Sequence, residues 1–392
     1  DVLGSRGLGD VYKRQGYRTV AKFGVLLSVI LFCIGVGLYG FARLNAADKD
    51  KDIDLVSWVP DDCIGVMETD NIDFFMNAFS RMAYAAQLDT LHRVGLIKTI
   101  LNDIIPYISS SDHGISNEVN QMMVSFHAPS GSSRDLVAYF RLGKPERKKL
   151  LKAIREHRGK EFIPREEGYR GRTIEIFPID SSDFLSVYSG DGFLAISYQK
   201  RLIERVIDAE KDGTSLKEDV VFASVRQPKS ANFLTLYAHS SSIPAIDGGE
   251  KECWSEFDIH MNSEVFYLSG VMHASDVCMQ RAVDHLRAIP SVSGDSLLVV
   301  SGQAKVDSCI SKRVASSRTS LFDECVSNLS RDASYIMVAD MDKIAQKPEY
   351  YYSYLPSFLQ RHPDLFRPFI LSVQITEVED RLSHIFVFTY KE

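Results

Sequence analysis

The stretch that decides the fold is FILSVQITEV, residues 369–378, which is followed after a short turn by SHIFVFTY, residues 383–390. Both runs are rich in β-branched and aromatic residues, which favour strands. Glu379 and Asp380 lie between the runs and mark a turn. The sequence therefore predicts that two long antiparallel strands form a hairpin in this part of the chain.

The segment before this hairpin begins with an apolar strand, Tyr335–Ala339, and continues into a proline-broken helical stretch, Lys347–Gln360. The same order of strand, helix and hairpin is predicted earlier in the chain. There the first strand starts at Cys63, and the hairpin strands are Gln121–His127 and Leu136–Leu142. A repeated order at this spacing indicates duplication of a supersecondary unit.

Two further observations support duplication. The segment SGDGFLAIS, residues 189–197, resembles SGDSLLVVS, residues 293–301, and each is a tight turn leading into an apolar strand. Amphipathic spacing predicts helices Glu146–His157, Gln199–Glu210 and Asp276–Ala288. A middle copy of the unit is predicted with strands Phe233–Tyr237, Trp254–His260 and Val265–Met272.

The N-terminal region contains Phe23–Ala42, a run of 20 residues without charge, flanked by Lys22 and Arg43. Such a run is long enough to cross a hydrocarbon core of about 30 Å. It exceeds the apolar region of a cleaved signal peptide and is followed by a poor cleavage site. An uncleaved signal anchor is therefore predicted.

The predicted organisation of the chain follows from these segments. Residues 1–15 resemble sequencing-adapter read-through and are interpreted as non-native. Residues 16–44 form the transmembrane signal anchor, residues 45–57 a charged tether, and residues 58–218 and 219–392 the two halves of the body. The predicted fold class is α+β: a transmembrane helix followed by a duplicated antiparallel-sheet-plus-helix body in two similar halves.

Orientation and charge limit the possible partners. Large domains translocate largely regardless of their charge, so we expect a single-pass protein of the inner (cytoplasmic) membrane with a periplasmic body. Its first partner is then the membrane, through Phe23–Ala42. Beyond residue 44 the chain carries 39 basic and 50 acidic residues, a net charge of −11. Because such a body repels phosphate backbones, nucleic acid is not expected as a partner.

Two groups of residues are candidates for an interaction surface. One group is the basic side of the helix Glu146–His157, which either is simply solvated or binds anionic headgroups. The other is a cluster of tyrosines that either packs on the sheet or contacts a partner. These residues are Lys148, Lys149, Lys152 and Arg155 in the first group, and Tyr350, Tyr351, Tyr352 and Tyr354 in the second.

The sequence contains no convincing catalytic, cofactor or metal motif. Ser111, Asp112 and His113 are adjacent, whereas catalytic triads are assembled in space from separate segments. His260 and His273 flank a predicted hairpin that would bring His273 near Cys253, but this spacing is loose for a metal site. Five cysteines beyond the anchor have irregular spacing and predict neither a disulfide framework nor a zinc site.

Strand and turn positions spread over residues 55–392 resemble those of a bacterial domain-of-unknown-function family of single-anchor envelope proteins. The positions are Val59-Pro60-Asp61-Asp62, Gly192–Ser197, Asp212–Leu216, Phe222, Trp254 and Gly270. The resemblance implies an architecture and a location in the cell envelope, and it implies no activity.

These observations favour a non-enzymatic, membrane-anchored binding or scaffolding domain of the bacterial cell envelope, without a cofactor. Its expected partner is another envelope protein or a glycan. The alternative is an envelope hydrolase of unrecognised type. A deep pocket with converging histidine, serine or carboxylate side chains would favour the hydrolase, and a shallow groove would favour binding.

Overall fold

A computed structural model describes the body of the chain with several gaps. The described residues are 53–71, 81, 83, 121–127, 135–143, 147–148, 150–152, 164–178, 184–226, 229, 233–239, 253–316, 320–351, 353–355, 359, 366–378 and 381–391. The predicted anchor Phe23–Ala42 lies outside them. Within the described ranges, no helix combines the length and the apolar character that crossing a membrane requires.

Fifteen strands of the described residues form a single sheet in which every neighbouring pair is antiparallel. The strands are β1 Cys63–Thr69, β2 Met122–His127, β3 Leu136–Arg141, β4 Arg165–Tyr169, β5 Arg172–Pro178, β6 Phe184–Ser189, β7 Phe193–Ser197, β8 Leu234–His239, β9 Trp254–Met261, β10 Val265–His273, β11 Val292–Ser293, β12 Leu297–Ser301, β13 Tyr335–Asp340, β14 Phe369–Val378 and β15 Arg381–Tyr390. Their order across the sheet is β11-β12-β13-β14-β15-β10-β9-β8-β1-β2-β3-β7-β6-β5-β4.

The predicted fold class is wrong. The sequence predicts an α+β body in two similar halves behind a transmembrane helix, whereas the described body is mostly one large antiparallel sheet with few helices. The pairing of β1 with β8 joins the two halves that the prediction separates, and within the second half β10 pairs with the distant strand β15. Every strand offers the same backbone N–H and C=O groups at its edge. The local sequence of a strand therefore does not specify which distant strand it pairs with.

Many single elements are nevertheless confirmed. Strands start at Cys63, Trp254, Val265 and Phe369 as the apolar runs predict. The strands β4, β5 and β6 and two helices near residues 303–327 are not predicted from the sequence. The strand β4, Arg165–Tyr169, contains charged residues and glycine, so it lacks the apolar alternation on which the prediction depends.

Six helices have both ends within the described ranges. They are α1 Lys200–Asp212, α2 Val220–Val225, α3 Asp276–Ala288, α4 Gln303–Ala315, α5 Leu321–Ser327 and α6 Met341–Gln346. One more helix includes residues 147–148 and 150–152, and 3-10 turns occupy Leu55–Trp58, Leu216–Glu218 and Pro348–Tyr350.

In helix α1 the sequence accounts for both the buried side of the helix and the residue at which it ends. Its apolar residues recur on one side, so that Leu202, Val206 and Ala209 are buried against the sheet. The helix ends at Gly213, which adopts the left-handed conformation with φ of 66°. Glycine is the residue that adopts this conformation at a helix end without steric cost.

The two faces of the sheet are packed differently. One face, here the back face, carries a core that extends from Met122 on β2 to Phe388 on β15 and includes α3 and α6. The opposite, front face carries two separate cores. The first packs α1, α2 and the turn Leu55–Trp58 on the strands around β1, and the second packs α4 and α5 on β12, β13 and β14.

The compact body begins at Asp54. Leu55 and Val56, which the sequence analysis assigns to the tether, are buried in the first front core. Asp54 caps their 3-10 turn by accepting a hydrogen bond from the Val56 amide at 3.3 Å.

Candidate functional site

The front face has a region between its two cores that no described helix covers. None of the front-facing residues of β10 and β15 belongs to either core, and β9 contributes only Trp254. We call this region the open strip. It is formed by Glu256, Asp258 and His260 of β9, Tyr267, Ser269, Val271 and His273 of β10, and Ser383, Ile385 and Val387 of β15.

The strand register places these side chains on one face. Asp258 lies opposite Ser269, and Ser269 lies opposite Ile385 on the next strand. Residues that face each other across antiparallel strands point to the same side of the sheet, and their side chains are neighbours. The next row runs from His260 through Tyr267 to Val387, and the rings of His260 and Tyr267 are 6.0 Å apart.

The open strip combines polar and aliphatic groups within reach of solvent. Asp258 and His260 are exposed, while Val271, Ile385 and Val387 are partly exposed. Burial of aliphatic surface is the main favourable contribution in most associations of proteins. A partly exposed surface of this composition is suited to binding a partner.

A charged cluster occupies one side of the open strip. Lys229 forms ion pairs with Glu256 and with Asp258, the latter at 3.2 Å, and His273 Nε2 is 3.7 Å from Glu256 Oε2. The Thr235 hydroxyl donates to Asp258 at 3.1 Å. Burial alone raises the pKa of Glu256, but hydrogen bonds from His273 and Lys229 outweigh burial and hold this pKa below its ordinary 4.5.

The wall of the open strip beside β8 is organised by Asp219. Its carboxylate accepts hydrogen bonds from the amides of Val221 and Phe222, at 2.9 and 3.0 Å, and so caps helix α2. Its second oxygen accepts from the Trp254 indole at 3.1 Å. The ring of Trp254 packs edge-on against Phe222, with ring centres 5.0 Å apart. One carboxylate therefore positions both the helix and the aromatic side chain that border the strip.

A second set of charges fixes the end of α2 to the sheet. Arg226 donates to both carboxylate oxygens of Glu68, at 2.9 and 2.6 Å, and to Asp54 at 2.9 Å. Gln121 also donates to Glu68, at 2.7 Å. Burial by itself lowers the pKa of Arg226, but the hydrogen bonds and charge of Glu68 outweigh burial and raise it. These contacts connect strand β1, the residue before β2, the end of helix α2 and Asp54, where the body begins.

The described residues also contain an arrangement that resembles a hydrolase triad. His127 Nε2 is 2.9 Å from the Ser125 hydroxyl, and His127 Nδ1 is 3.6 Å from Asp62 Oδ1. The Ser125 hydroxyl is also 3.3 Å from the hydroxyl of Tyr139. Ser125 and Tyr139 are completely buried, so a substrate has no access to the serine. The buried Ser125 hydroxyl thus has His127 and Tyr139 as its hydrogen-bond partners inside the protein.

The described residues of the two surfaces predicted from the sequence are not part of the open strip. Tyr351 and Tyr354 pack against the back core, while Tyr350 is 71% exposed; Tyr352 lies outside the described residues. On the basic helix, Lys148 and Lys152 are exposed and Leu150 is buried, as its amphipathic pattern predicts. Lys149 and Arg155, and likewise Ser111–His113, lie outside the described residues.

The predicted hairpin does bring His273 within one residue of Cys253, but the two side chains lie on opposite faces of the sheet. His273 pairs with Trp254 and shares the front face with it, so the preceding Cys253 points to the back core. In the parts of the chain that the structure describes, no group of three or more histidine, cysteine or acidic side chains is arranged to hold a metal ion.

Sequence reasoning missed the open strip itself. The available signal was the alternation along β9 and β15, where Phe257 and Ile259 are buried and Glu256 and Asp258 are not. On β15 the outward-facing side chains include Ile385 and Val387, which look like core residues when the sequence is considered alone. Comparisons with protein families, with curated proteins and with solved structures find no match for this chain.

Proposed function

We propose that this protein is a non-enzymatic, membrane-anchored binding domain of the bacterial cell envelope, and that the open strip binds a segment of another envelope protein. The observation that supports binding is the open strip, with partly exposed aliphatic side chains between two helix-covered regions. The proposed location rests on the apolar run Phe23–Ala42 and on the resemblance to single-anchor envelope proteins.

The chemistry of the open strip indicates the kind of segment. Glu256 and Asp258 share a single lysine, Lys229, so the charged side of the strip keeps a surplus of negative charge. The remainder of the strip offers Val271, Ile385 and Val387. A partner segment that carries both basic and aliphatic side chains complements this surface, because opposite charges set its orientation and apolar burial stabilises the complex.

The alternative of an envelope hydrolase has less support. Among the described residues, the arrangement that resembles a catalytic triad is Ser125–His127–Asp62. The serine hydroxyl and the histidine are buried beneath the first front core, and a nucleophile must reach the reacting carbonyl of its substrate. The binding function therefore stands as the proposal.

The proposed binding surface is tested by site-specific photo-crosslinking in cells. A photoreactive residue at Ser269, within the strip, is expected to form an adduct of one defined mass, and the same residue at Lys305, exposed on α4, is not. Asp258→Asn should reduce the Ser269 adduct several-fold, since it removes one attracting charge. Identical adducts from both positions, or none from Ser269, would refute binding at the strip. An adduct sensitive to glycosidases and resistant to proteases would identify a glycan instead.

The proposed anchor is tested separately by fractionation. The full chain should remain with membranes after high-salt and carbonate washes, because an inserted apolar helix is not released by loss of electrostatic contacts. A reporter fused after Glu392 should be active only in the form that functions outside the cytoplasm. Recovery of protein beginning near Ala47 in the soluble fraction, or a reporter active in the cytoplasm, would contradict the proposed location.

A further inference from the structure

The width of the open strip is set by the helices on its two sides. Phe222 of α2 lies over β8 and β9, since its ring centre is 5.3 Å from that of Tyr237 and 5.0 Å from that of Trp254. On the other side α5 packs on β13 and β14. The midpoint of β8 and β9 is four strand spacings from the midpoint of β13 and β14, which corresponds to about 19 Å.

This separation accommodates one helix. Packed helices lie about 8–10 Å apart, so two such distances match the separation of α2 and α5 with a single helix between them. A partner that presents a flat sheet does not fit in the same place. Packed sheets lie about 10 Å apart, and α2 and α5 already occupy that layer on the two sides of the strip.

The backbone of the strip offers no partners to an extended segment. The strands β9, β10 and β15 are each paired along both edges. Their backbone N–H and C=O groups are therefore used within the sheet, and a strand laid on this face would bury its own groups without partners. A helix satisfies its backbone groups internally and requires only side-chain contacts from the surface on which it packs.

The side chains of the strip differ between its two long sides. Glu256 and Asp258 lie on β9, while Ile385 and Val387 lie on β15, two strands away. An amphipathic helix likewise carries polar and apolar side chains on different sides. A helix along the strip can therefore direct basic side chains towards β9 and aliphatic side chains towards β15.

We propose that the occupant of the open strip is a single amphipathic helix of the partner protein, aligned with the strands. Four rows of side chains lie between Tyr267 and His273, which is a distance of about 20 Å along β10. At a rise of about 1.5 Å for each residue, a helix of about 13 residues covers this distance. The inference rests on the proposed function, which gives the segment its basic and aliphatic character.

The spacing of crosslinks along the partner tests the inference in cells. A photoreactive residue is placed in turn at Tyr267, Ser269 and Val271, and the crosslinked positions on the partner are identified by mass spectrometry. From Tyr267 to Val271 the strand rises about 13 Å. Over that distance the crosslinked position should shift by about seven to nine residues on a helix, whereas an extended segment gives a shift of about four.

Each result distinguishes the helix from the proposed function. A shift of about four residues would overturn the helix and leave binding at the strip intact. No adduct from any of the three positions would refute the binding itself. A crosslink from Ser269 to another part of the same chain would show that the chain covers its own strip, and it would overturn both.

Proline variants of the captured segment provide a second measurement. The segment is synthesised as a peptide and titrated into the purified full chain. Proline at its centre should weaken binding at least about tenfold, because proline inside a helix removes a backbone hydrogen bond and clashes with the preceding turn. Proline at the first helical position is the matched control and should have little effect, since the N–H lost there has no partner within the helix. Equal effects of the two prolines would contradict a helical occupant.

Discussion

Arg226→Met is expected to lower the free energy of unfolding by about 3–5 kcal/mol, the effect of breaking a buried ion pair by removing one partner. The reason is the environment of Glu68, whose side chain is 3% exposed and which receives two hydrogen bonds from this arginine. After the substitution Glu68 retains Gln121 as a donor but has lost its counter-charge. Urea unfolding of the wild type and the variant at pH 7 measures the difference.

Two control variants show whether the effect comes from breaking the Glu68–Arg226 ion pair or from replacing an arginine as such. Arg165→Met removes an arginine that is 78% exposed and pairs with Glu167 at 3.2 Å, so a change of no more than about 1 kcal/mol is expected. The double variant Glu68→Met, Arg226→Met should recover most of the loss, since it leaves no buried charge unpaired. If Arg226→Met and Arg165→Met have equal effects, the pair does not stabilise the body as proposed.

The free energy of unfolding of the wild type is expected to fall between pH 7 and pH 5 because of His384. In the variant His384→Phe this fall is expected to be smaller. His384 is completely buried on β15, and neither ring nitrogen makes a hydrogen bond of normal geometry within the described residues. Its ring lies 4.5 Å from that of Phe257, across Gly270, where a side chain would collide with the backbone of Glu256. Burial lowers the pKa of His384 from its ordinary 6.5 to about 3, and the nearby Glu256 carbonyl offsets only part of this effect.

The direction of the pH dependence follows from the two states. The pKa of His384 is lower in the folded protein than in the unfolded chain, so between these values the unfolded chain binds more protons. The free energy of unfolding is therefore not reduced by His384 above pH 6.5, where the ring is neutral in both states. It decreases as the pH falls from 6.5 towards 3. At about 1.36 kcal/mol for each pH unit, the wild type should lose roughly 2 kcal/mol between pH 7 and pH 5 through this residue.

Urea unfolding at pH 7 and pH 5 tests this expectation. This pH interval lies above the ordinary pKa of aspartate and glutamate side chains. Carboxylates whose pKa is lowered by folding, such as Asp62 and Glu256, reduce the stability only at lower pH. His260→Phe is the matched control, since His260 is exposed on the open strip and should leave the pH dependence of the wild type intact. An equal loss of stability in His384→Phe and the wild type would contradict the role given to His384.

The candidate site could be predicted from the sequence only in part. The residues of the open strip all lie in strands that the sequence predicts, and the alternation along β9 assigns Glu256 and Asp258 to one face. Nothing in that alternation indicates that the face lacks a covering helix. The tyrosines near residue 350 are conspicuous in the sequence, yet Tyr351 and Tyr354 contribute to the back core.

The positions of most central strands and of helix α1 follow from the sequence, because apolar spacing and turn residues act over a few neighbouring positions. The tertiary structure alone shows that β1 pairs with β8, which joins the two expected halves into one sheet, and that β10 pairs with β15 within the second half. It also decided that Glu68 meets Arg226, 158 positions away. Backbone hydrogen-bonding groups are the same in every strand, so the choice among distant partners depends on how the whole chain buries its apolar surface.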